Sequence, residues 1–319
     1  MIRDSLQARF GGYGVGLLQA VMENGTITAY QTRSATPPVA KIIGGRGFPT
    51  STYGPCYSVA RVSSSYHPVY HFCKHDDPDI PSRRSTYVKI LADSNASFSV
   101  NVGDVQACED TVNAPMKRYV ATLPEPLTSV DIQMGGSGLV FGVMLDGENG
   151  VAVDNFALRG SSGTFFSEMD STLLQDYLVN ENVGLLIFQY GCNQVPALSG
   201  KNSMSRYGQN MYRQIEFFKR IAPNMTIIFS GPQDMKRYHY MPDVVDTLKH
   251  YALKAGVAYW SMYDAMGGEG SMAEWQQQGL AGGDGIHFSR KGAAKMGDML
   301  YDALITYYGY YEWKKSIGI

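Results

Sequence analysis

Residues 183–194 read Val-Gly-Leu-Leu-Ile-Phe-Gln-Tyr-Gly-Cys-Asn-Gln, an apolar run that ends in a polar turn. A continuous apolar run bounded by turn residues is typical of a parallel strand that is buried on both faces. The ligand sites of open parallel sheets lie beyond the carboxyl ends of the strands. Asn193 is therefore placed to donate its side-chain amide to an oxygen that develops negative charge, or alternatively only to cap the turn.

Strands and helices alternate on both sides of this run. Strands are expected at Val151–Phe156, Val183–Tyr190, Met225–Ser230 and Ala258–Ser261, and helices at Phe165–Val179, Ser203–Ile221, Pro242–Ala255 and Lys291–Tyr311. This alternation predicts parallel strands joined by right-handed crossovers. The expected fold class is therefore α/β, with a parallel sheet inside a three-layer α/β/α sandwich.

The first half of the chain has a different composition, rich in Thr, Ser, Val and Tyr, and lacks helical periodicity. Residues 2–10 predict a helix, and the glycine-rich turn over residues 11–16 does not have the spacing of a dinucleotide-binding loop. Short strands are expected at Tyr87–Leu91, Ser97–Val102, Lys117–Leu123, Ser129–Met134 and Gly138–Leu145. We therefore predict a β-sandwich over residues 31–147, inserted between residues 1–30 and 148–319 of one α/β domain.

The composition limits the classes of function. Lys and Arg number 27 and Asp and Glu number 29 among 319 residues, a formal charge of −2 that offers no basic surplus for nucleic acid. No apolar run is long enough to cross a bilayer, and no signal peptide is evident. A hydrophobic fraction of 44% is normal for a packed globular protein. The sequence thus indicates a globular chain with no nucleic-acid partner and no membrane span.

Two further segments carry candidate catalytic groups. Asp284 and His287 stand three residues apart before the last helix, so the carboxylate can accept from one imidazole nitrogen and leave the other as a base. The alternative is an aspartate that caps the helix beside an incidental histidine. Gly160 lies in a glycine-rich turn after an expected strand, where its backbone N–H can approach a substrate or simply form the turn.

Taken in order, these segments resemble the SGNH, or GDSL-like, hydrolase family, which is named for Ser, Gly, Asn and His in successive sequence blocks. The matching residues are Asn155 and Gly160 in the second block, Gly191 and Asn193 in the third, and Asp284 and His287 in the fifth. Gln194 departs from the family, which usually has Asp at that place. Cys192 occupies a variable position of the motif and is interpreted as a structural thiol.

A finer resemblance is to bacterial peptidoglycan O-acetylesterases that carry an inserted β-domain similar to a carbohydrate-binding module. In these relatives the helix after the nucleophile ends in Gln-x-Arg-Phe-Gly-Gly, and residues 7–12 match that pattern. The β-rich stretch before Gly160 occupies the place of the insert. The resemblance thus extends to the first residues of the chain.

The family resemblance implies a serine esterase that removes O-acetyl groups from a polysaccharide, either peptidoglycan-like or a plant glycan. His287 would act as general base and then as acid, and Asp284 would orient it. The Gly160 N–H and the Asn193 amide would stabilise the oxyanion. No cofactor or metal is implied, and the complete protein would be periplasmic, cell-surface or secreted. The alternative is a glycan-binding protein whose hydrolase domain is inert.

The catalytic serine is the part of the family pattern that this sequence does not match. The family's first block is Gly-Asp-Ser after an apolar strand, and residues 3–6, Arg-Asp-Ser-Leu, come nearest to it. The residues before Asp4 are too few for a strand, and Ser5 falls inside the predicted helix. Ser161 and Ser162 are lesser candidates. We therefore expect a truncated chain that lacks the nucleophile and its central strand and is inactive as an esterase.

A group of metal-ligand types lies in the β-rich region and permits two interpretations. It consists of His67, His71, Cys73 and His75. Their spacing matches no common zinc site, so a polar loop is the favoured alternative.

Cysteines and aromatic residues leave two further questions open. Cys56, Cys73 and Cys108 allow one disulfide, with no assigned pairing. The aromatic run from Tyr307 to Trp313 can form a sugar-binding platform, although packing of the last helix on its domain is favoured.

Overall fold

The computed structural model describes residues 2–19, 31–34, 40–43, 54–71, 80–110, 115–156 and 160–318. The chain divides into two compact units. The first contains residues 3–159 and 168–181, and the second contains residues 1–2, 160–167 and 182–319. An inserted domain bounded by residues 31 and 147 stays a prediction.

The helices of the described residues are α1 (Ile2–Phe10), α2 (Ser171–Asn180), α3 (Lys201–Ile221), α4 (Met241–Lys254), α5 (Met262–Met266), α6 (Ser271–Gln277) and α7 (Arg290–Ser316). The strands are β1 (Gly14–Gln19), β2 (Gln31–Ser34), β3 (Ala40–Ile43), β4 (Ser58–Val62), β5 (Ser65–Tyr66), β6 (Pro68–His71), β7 (Ser85–Asp93), β8 (Ser97–Val102), β9 (Val105–Gln106), β10 (Cys108–Asp110), β11 (Met116–Leu127), β12 (Ser129–Asp146), β13 (Leu185–Gln189), β14 (Thr226–Gly231) and β15 (Ala258–Ser261). No helix in this part of the chain is long and apolar enough to cross a membrane.

The first unit holds one nearly closed antiparallel sheet of twelve strands, organised by β12. The first half of β12 pairs with β5, β6 and β8, and the second half pairs with β1, β4 and β7. Gly136 separates the two halves at φ +123°, where a Cβ would lie 2.0 Å from the Ser97 carbonyl oxygen. Only glycine allows that approach, so the two strands predicted at Ser129–Met134 and Gly138–Leu145 form a single strand.

Alternation along β12 builds the core of this unit. Val130, Ile132 and Met134 from its first half are buried in the same cluster as Val140 and Val143 from its second half. In the first half the intervening residues point to the opposite face, whereas every residue from Val140 to Asp146 in the second half is buried. The described strands of this unit form one nearly closed sheet around that core, and the β-sandwich stays a prediction.

The prediction of a strand at Val151–Phe156 is wrong, because these residues have no regular secondary structure. Side chains of α1 bond to the backbone there instead of a neighbouring strand. The Arg3 guanidinium donates to the Val153 carbonyl oxygen at 2.7 Å, and the Gln7 amide donates to that of Val151 at 3.3 Å. The turn predicted over residues 11–16 is likewise partly a strand, β1, which pairs with β12.

The second unit contains a parallel sheet of three strands in the order β13-β14-β15. Helix α3 packs against α4 (Met241–Lys254), and Gly208 makes their close approach possible, since a Cβ there would lie 2.2 Å from the Tyr251 ring. Parallel strands were predicted and are present, with bounds within a few residues of those expected. The three-layer sandwich stays a prediction.

Strand β13 differs from the expectation of burial on both faces. It is paired with β14 and with no other strand of the described residues. Phe188 is its one buried residue, and Leu185 is 41% exposed. Because one edge of β13 has no strand partner among the described residues, its side chains are more exposed than the apolar sequence predicts.

Three of the shorter helical segments differ from the prediction. The helix expected at Phe165–Val179 is a 3-10 turn at Phe166–Glu168 followed by α2, and the short helices α5 and α6 were not predicted.

The aromatic side chains in the last turns of α7 are exposed, with Tyr307 at 75% and Trp313 at 53%. The interpretation that these aromatic residues pack on the domain is therefore wrong, and a sugar-binding platform stays a prediction.

Candidate active site

Asp284 and His287 form a hydrogen-bonded pair in the loop before α7. The Asp284 Oδ2 atom lies 2.7 Å from the His287 Nδ1 atom, and Asp284 Oδ1 accepts from the backbone N–H groups of Ile286 at 2.9 Å and His287 at 3.0 Å. The bond to His287, and then the two backbone N–H groups, lower the pKa of the Asp284 carboxyl below its ordinary value. An ionised carboxylate in this position fixes a proton on Nδ1 and leaves Nε2 as the basic nitrogen.

The alternative interpretation of Asp284 as the cap of α7 is wrong. Ser289 caps that helix, because its hydroxyl oxygen accepts from the Gly292 N–H at 3.2 Å. Asp284 serves its own turn and the imidazole instead. The His287 side chain is 76% exposed, and its Nε2 atom makes no hydrogen bond within the described residues.

Packing on a methionine-rich cluster holds this loop. Phe288 follows the histidine and lies with its ring centre 5.2 Å from that of Trp275, beside buried Met272 and Met296. Backbone bonds close the loop, since Gly282 N–H donates to the His287 carbonyl oxygen at 2.8 Å. The imidazole is thus exposed, whereas the backbone that carries it is anchored.

Asn193 lies in the turn after β13 and reaches a second segment. Its Nδ2 atom donates to the Ser161 carbonyl oxygen at 3.0 Å, so the amide does more than cap its own turn. Gly160, the preceding residue, has φ +74°, and no described atom lies within 4 Å of the place of a Cβ. The structure therefore brings Asn193 to the residue that follows Gly160, and a shared oxyanion site stays a prediction.

Gln233 links this turn to the histidine loop and was not predicted as a site residue. The Cys192 thiol donates to its Oε1 atom at 2.8 Å, and its Nε2 atom donates to the Ile286 carbonyl oxygen at 2.9 Å. Cys192 and Ile286 are the neighbours in sequence of Asn193 and His287. Gln233 follows β14, and two signals pointed to it: its place after a parallel strand, and the resemblance of residues 230–235 to the segment that SGNH hydrolases have between their matched blocks.

The Cys192 thiol is a structural group, as expected. Burial raises its pKa to about 11, so it stays protonated at neutral pH and acts as a hydrogen-bond donor. A nucleophilic cysteine needs a lowered pKa and partial exposure.

None of the candidate serines is hydrogen-bonded to His287 in the part of the chain that is described. Ser5 lies within α1 rather than on a strand-to-helix turn. The Ser161 hydroxyl accepts from the Gly163 N–H at 3.1 Å, and the Ser162 hydroxyl lies 2.9 Å from that of Thr164. Ser161 and Ser162 thus serve the local turn.

The proposed zinc ligands are only partly within the described residues. Cys73 and His75 lie outside them, and His67 Nε2 lies 2.5 Å from Asp131 Oδ1. No group of three metal-ligating side chains occurs among the residues with known placement. Cys56, Cys108 and Cys192 are free thiols, so the possible disulfide does not join Cys56 to Cys108.

No family model and no curated protein matches the sequence. A solved structure of a peptidoglycan O-acetylesterase matches 96% of this chain and 85% of its own, with a TM-score of 0.72 and 19% identity. A family two carbohydrate esterase from Cellvibrio japonicus matches over 86% of this chain and 97% of its own, with a TM-score of 0.32 and 11% identity. A family 3 carbohydrate esterase from Clostridium thermocellum covers 45% of this chain and 64% of its own, at TM-score 0.32 and 13% identity.

The first of these likenesses shows that the chain has a mixed α/β fold similar to that of a peptidoglycan O-acetylesterase. This confirms the resemblance inferred from the sequence at the level of the fold. At 19% identity it shows the fold alone, and the other two structures are too distant to add to it.

Proposed function

We propose that this chain provides the catalytic framework of a carbohydrate esterase that removes O-acetyl groups from a polysaccharide outside the cell or at its wall. The observation that carries the proposal is the Asp284–His287 pair, bonded at Nδ1 and open at Nε2. Gln233 ties the loop of this pair to the turn of Asn193. The likeness to a peptidoglycan O-acetylesterase supports the same reaction class.

In the proposed reaction each of these groups has a role in ester hydrolysis. A serine hydroxyl attacks the acetyl carbonyl carbon while His287 Nε2 takes its proton, and Asp284 stabilises the imidazolium. The carbonyl oxygen becomes an oxyanion that accepts from the Gly160 N–H and the Asn193 amide. One amide N–H of Asn193 already bonds to Ser161, and the amide has a second for the oxyanion. His287 then protonates the departing sugar oxygen, and water releases acetate from the serine by the same steps.

The attacking serine is not among the residues bonded to His287. The proposal assigns the attacking serine no position. The exposure of His287 is consistent with a neighbour that completes the site.

Acetate release from p-nitrophenyl acetate and from O-acetylated peptidoglycan or xylan tests this function. We expect turnover that falls about 10³-fold or more in His287→Ala, and labelling of one serine by a fluorophosphonate, which mass spectrometry locates. His250→Ala, which removes an exposed histidine from α4, is the matched control and keeps the wild-type rate. Equal rates for both variants would reject the assignment of the base.

A second candidate is a glycan-binding protein with an inert hydrolase domain. It is favoured by the lack of a hydroxyl on Nε2 of His287 among the described groups. Saturable glycan binding without acetate release or serine labelling would select this alternative.

A further inference from the structure

A small cavity of about 180 Å³ lies in the second unit, between the segment that follows β14 and the first residues of α4 and α6. Its volume is below the range of about 300–1,000 Å³ that is common for drug-sized ligands, so the cavity suits a smaller molecule. Four of its lining residues carry ionisable side chains, namely Asp234, Lys236, His239 and Glu269. The esterase proposal gives none of these side chains a role.

Backbone hydrogen bonds hold the walls of the cavity in place. Asp234 is 4% exposed, and its Oδ2 atom accepts from the backbone N–H of Met272 in α6 at 2.9 Å, which joins α6 to the segment after β14. The backbone N–H of Lys236 donates to the Gly285 carbonyl oxygen at 3.0 Å. The backbone of Lys236 is therefore anchored, whereas its side chain is exposed.

Lys236 and Glu269 bring opposite charges to the cavity, and neither charge is neutralised within the described residues. The Lys236 Nζ atom lies 3.3 Å from the neutral Gln276 Oε1 atom, and Glu269 has neither a hydrogen-bond nor an ion-pair partner there. Burial, and then the charges of Asp234 and Glu269, raise the pKa of Tyr263, so both carboxylates lie near that ring. The cavity thus offers an ammonium group to a carboxylate and a carboxylate to an ammonium group.

The rest of the lining is largely apolar and consists of Met235, Tyr238, Met241, Pro242, Gly270 and Ala273. Met235 is 3% exposed and Met241 is 1% exposed, so their side chains form a fixed surface. A ligand that is polar throughout would leave this surface uncovered, whereas a small apolar side chain would cover it and gain from its burial. The lining therefore favours a ligand with two opposite charges and a small apolar group.

We propose that this cavity binds an α-amino acid with a small apolar side chain, or a short peptide of such residues, with its carboxylate at Lys236 and its ammonium group at Glu269. The free amino acid and the peptide share this chemistry, and the experiment distinguishes them. The site is separate from the Asp284–His287 pair and does not depend on ester hydrolysis.

Nuclear magnetic resonance titration of the whole chain tests this site, with alanine and alanylalanine as zwitterionic probes. We expect saturable amide shifts confined to residues 234–242 and 269–276. N-Acetylalanine lacks the ammonium group and alaninamide lacks the carboxylate, so each should bind about tenfold more weakly or less, because a hydrogen bond between charged groups is lost. Binding of alanine alone would identify a free amino acid as the ligand, and binding of alanylalanine alone would identify a peptide.

Two variants test the assignment of the charges. Lys236→Met and Glu269→Gln each remove one charge but keep much of the side chain, and each should weaken binding about tenfold or more. Lys249→Met and Glu312→Gln remove exposed charges from α4 and α7 and should bind as the wild type does. Because Lys236 and Glu269 are exposed, the melting temperature should stay unchanged, which separates loss of the site from loss of the fold.

Three outcomes would overturn the proposal. They are the absence of saturable shifts with both zwitterions, equally tight binding of N-acetylalanine or alaninamide, and unchanged binding in Lys236→Met or Glu269→Gln. Failure of the esterase assay leaves this result unaffected, because the titration measures binding.

Discussion

Strands β12 and β13 both contain apolar runs, but the structures around them differ. β12 has partners on both edges, and its inward side chains Val130, Ile132 and Met134 are at most 2% exposed. β13 has one partner in the described part of the chain, and its Leu185 is 41% exposed. The same kind of sequence therefore produces a closed core in one unit and an open sheet edge in the other.

Asp146 in the first unit and Asp284 in the second have opposite pKa shifts. Asp146 at the end of β12 is buried, and its Oδ1 atom has no hydrogen-bond partner among the described residues. Burial raises its pKa to about 8, with a further rise from the charge of Asp154. Asp284 is exposed, and its hydrogen bonds lower its pKa. The surroundings of Asp146 thus disfavour its ionised form, whereas the surroundings of Asp284 stabilise its ionised form.

The largest expected effect concerns Asp146. Its folded pKa exceeds the ordinary value of 3.8, so the folded state binds the extra proton between these values and stability falls as pH rises from about 4 to about 8. The loss is at most about 1.4 kcal/mol for each pH unit. Asp146→Asn should remove this slope and stabilise the protein at pH 8, as measured by urea unfolding from pH 4 to 9.

Asp284→Asn is the matched control for that experiment. Its folded pKa is lowered, so its stabilising contribution is present above the ordinary value of 3.8 and is lost as the pH falls through the lower folded value. The variant should therefore leave the slope between pH 4 and 8 unchanged. An unaltered slope in Asp146→Asn would show that another group causes it.

Removal of one isoleucine from each strand measures the difference in burial directly. Ile132 of β12 is fully buried, so Ile132→Ala should cost about 2–5 kcal/mol of unfolding free energy. Ile187 of β13 is only half-buried, and Ile187→Ala should cost clearly less. Equal losses, measured by denaturant unfolding, would indicate that β13 is as well covered as β12.

The sequence predicted those features that depend on nearby residues. Asp284 and His287 are three positions apart, so one turn places them together whatever surrounds it. Gln233 bonds to residues 41 and 53 positions away, and only the tertiary fold brings these together. The failed strand at Val151–Phe156 has the same cause, because its backbone is satisfied by side chains from α1.

The pattern of apolar residues predicted the strands and helices better than it predicted which of their side chains are buried. An apolar run predicts a strand such as β13, but exposure depends on which neighbours cover it. The aromatic end of α7 is a second example, since Trp313 was expected to pack on its domain but is 53% exposed. The residues around the site could therefore be predicted by type and place, whereas their solvent access could not.

The oxyanion assignment predicts a loss of rate in a form of the enzyme that is active. Asn193→Ala should lower kcat by about 10²–10³, as removal of other oxyanion donors does. Asn210→Ala removes an amide from α3 and serves as the matched control. Turnover near that of the wild type in Asn193→Ala would place the oxyanion donors elsewhere.

The smallest expected effect concerns Gln233, which joins the turn at the open edge of β13 to the histidine loop. Gln233→Met keeps the length of the side chain but removes both of its bonds, leaving the Cys192 thiol and the Ile286 carbonyl oxygen without this partner. Loss of a buried hydrogen-bonding partner costs about 1–3 kcal/mol of unfolding free energy, which should appear as a lower melting temperature.

A positioning role of Gln233 predicts a second effect, on catalysis. The general base and the oxyanion donor lose their alignment in the variant, so kcat should fall while KM changes little. A melting temperature that falls with kcat unchanged would mean that Gln233 supports only the fold, and that the histidine loop keeps its place through the methionine cluster.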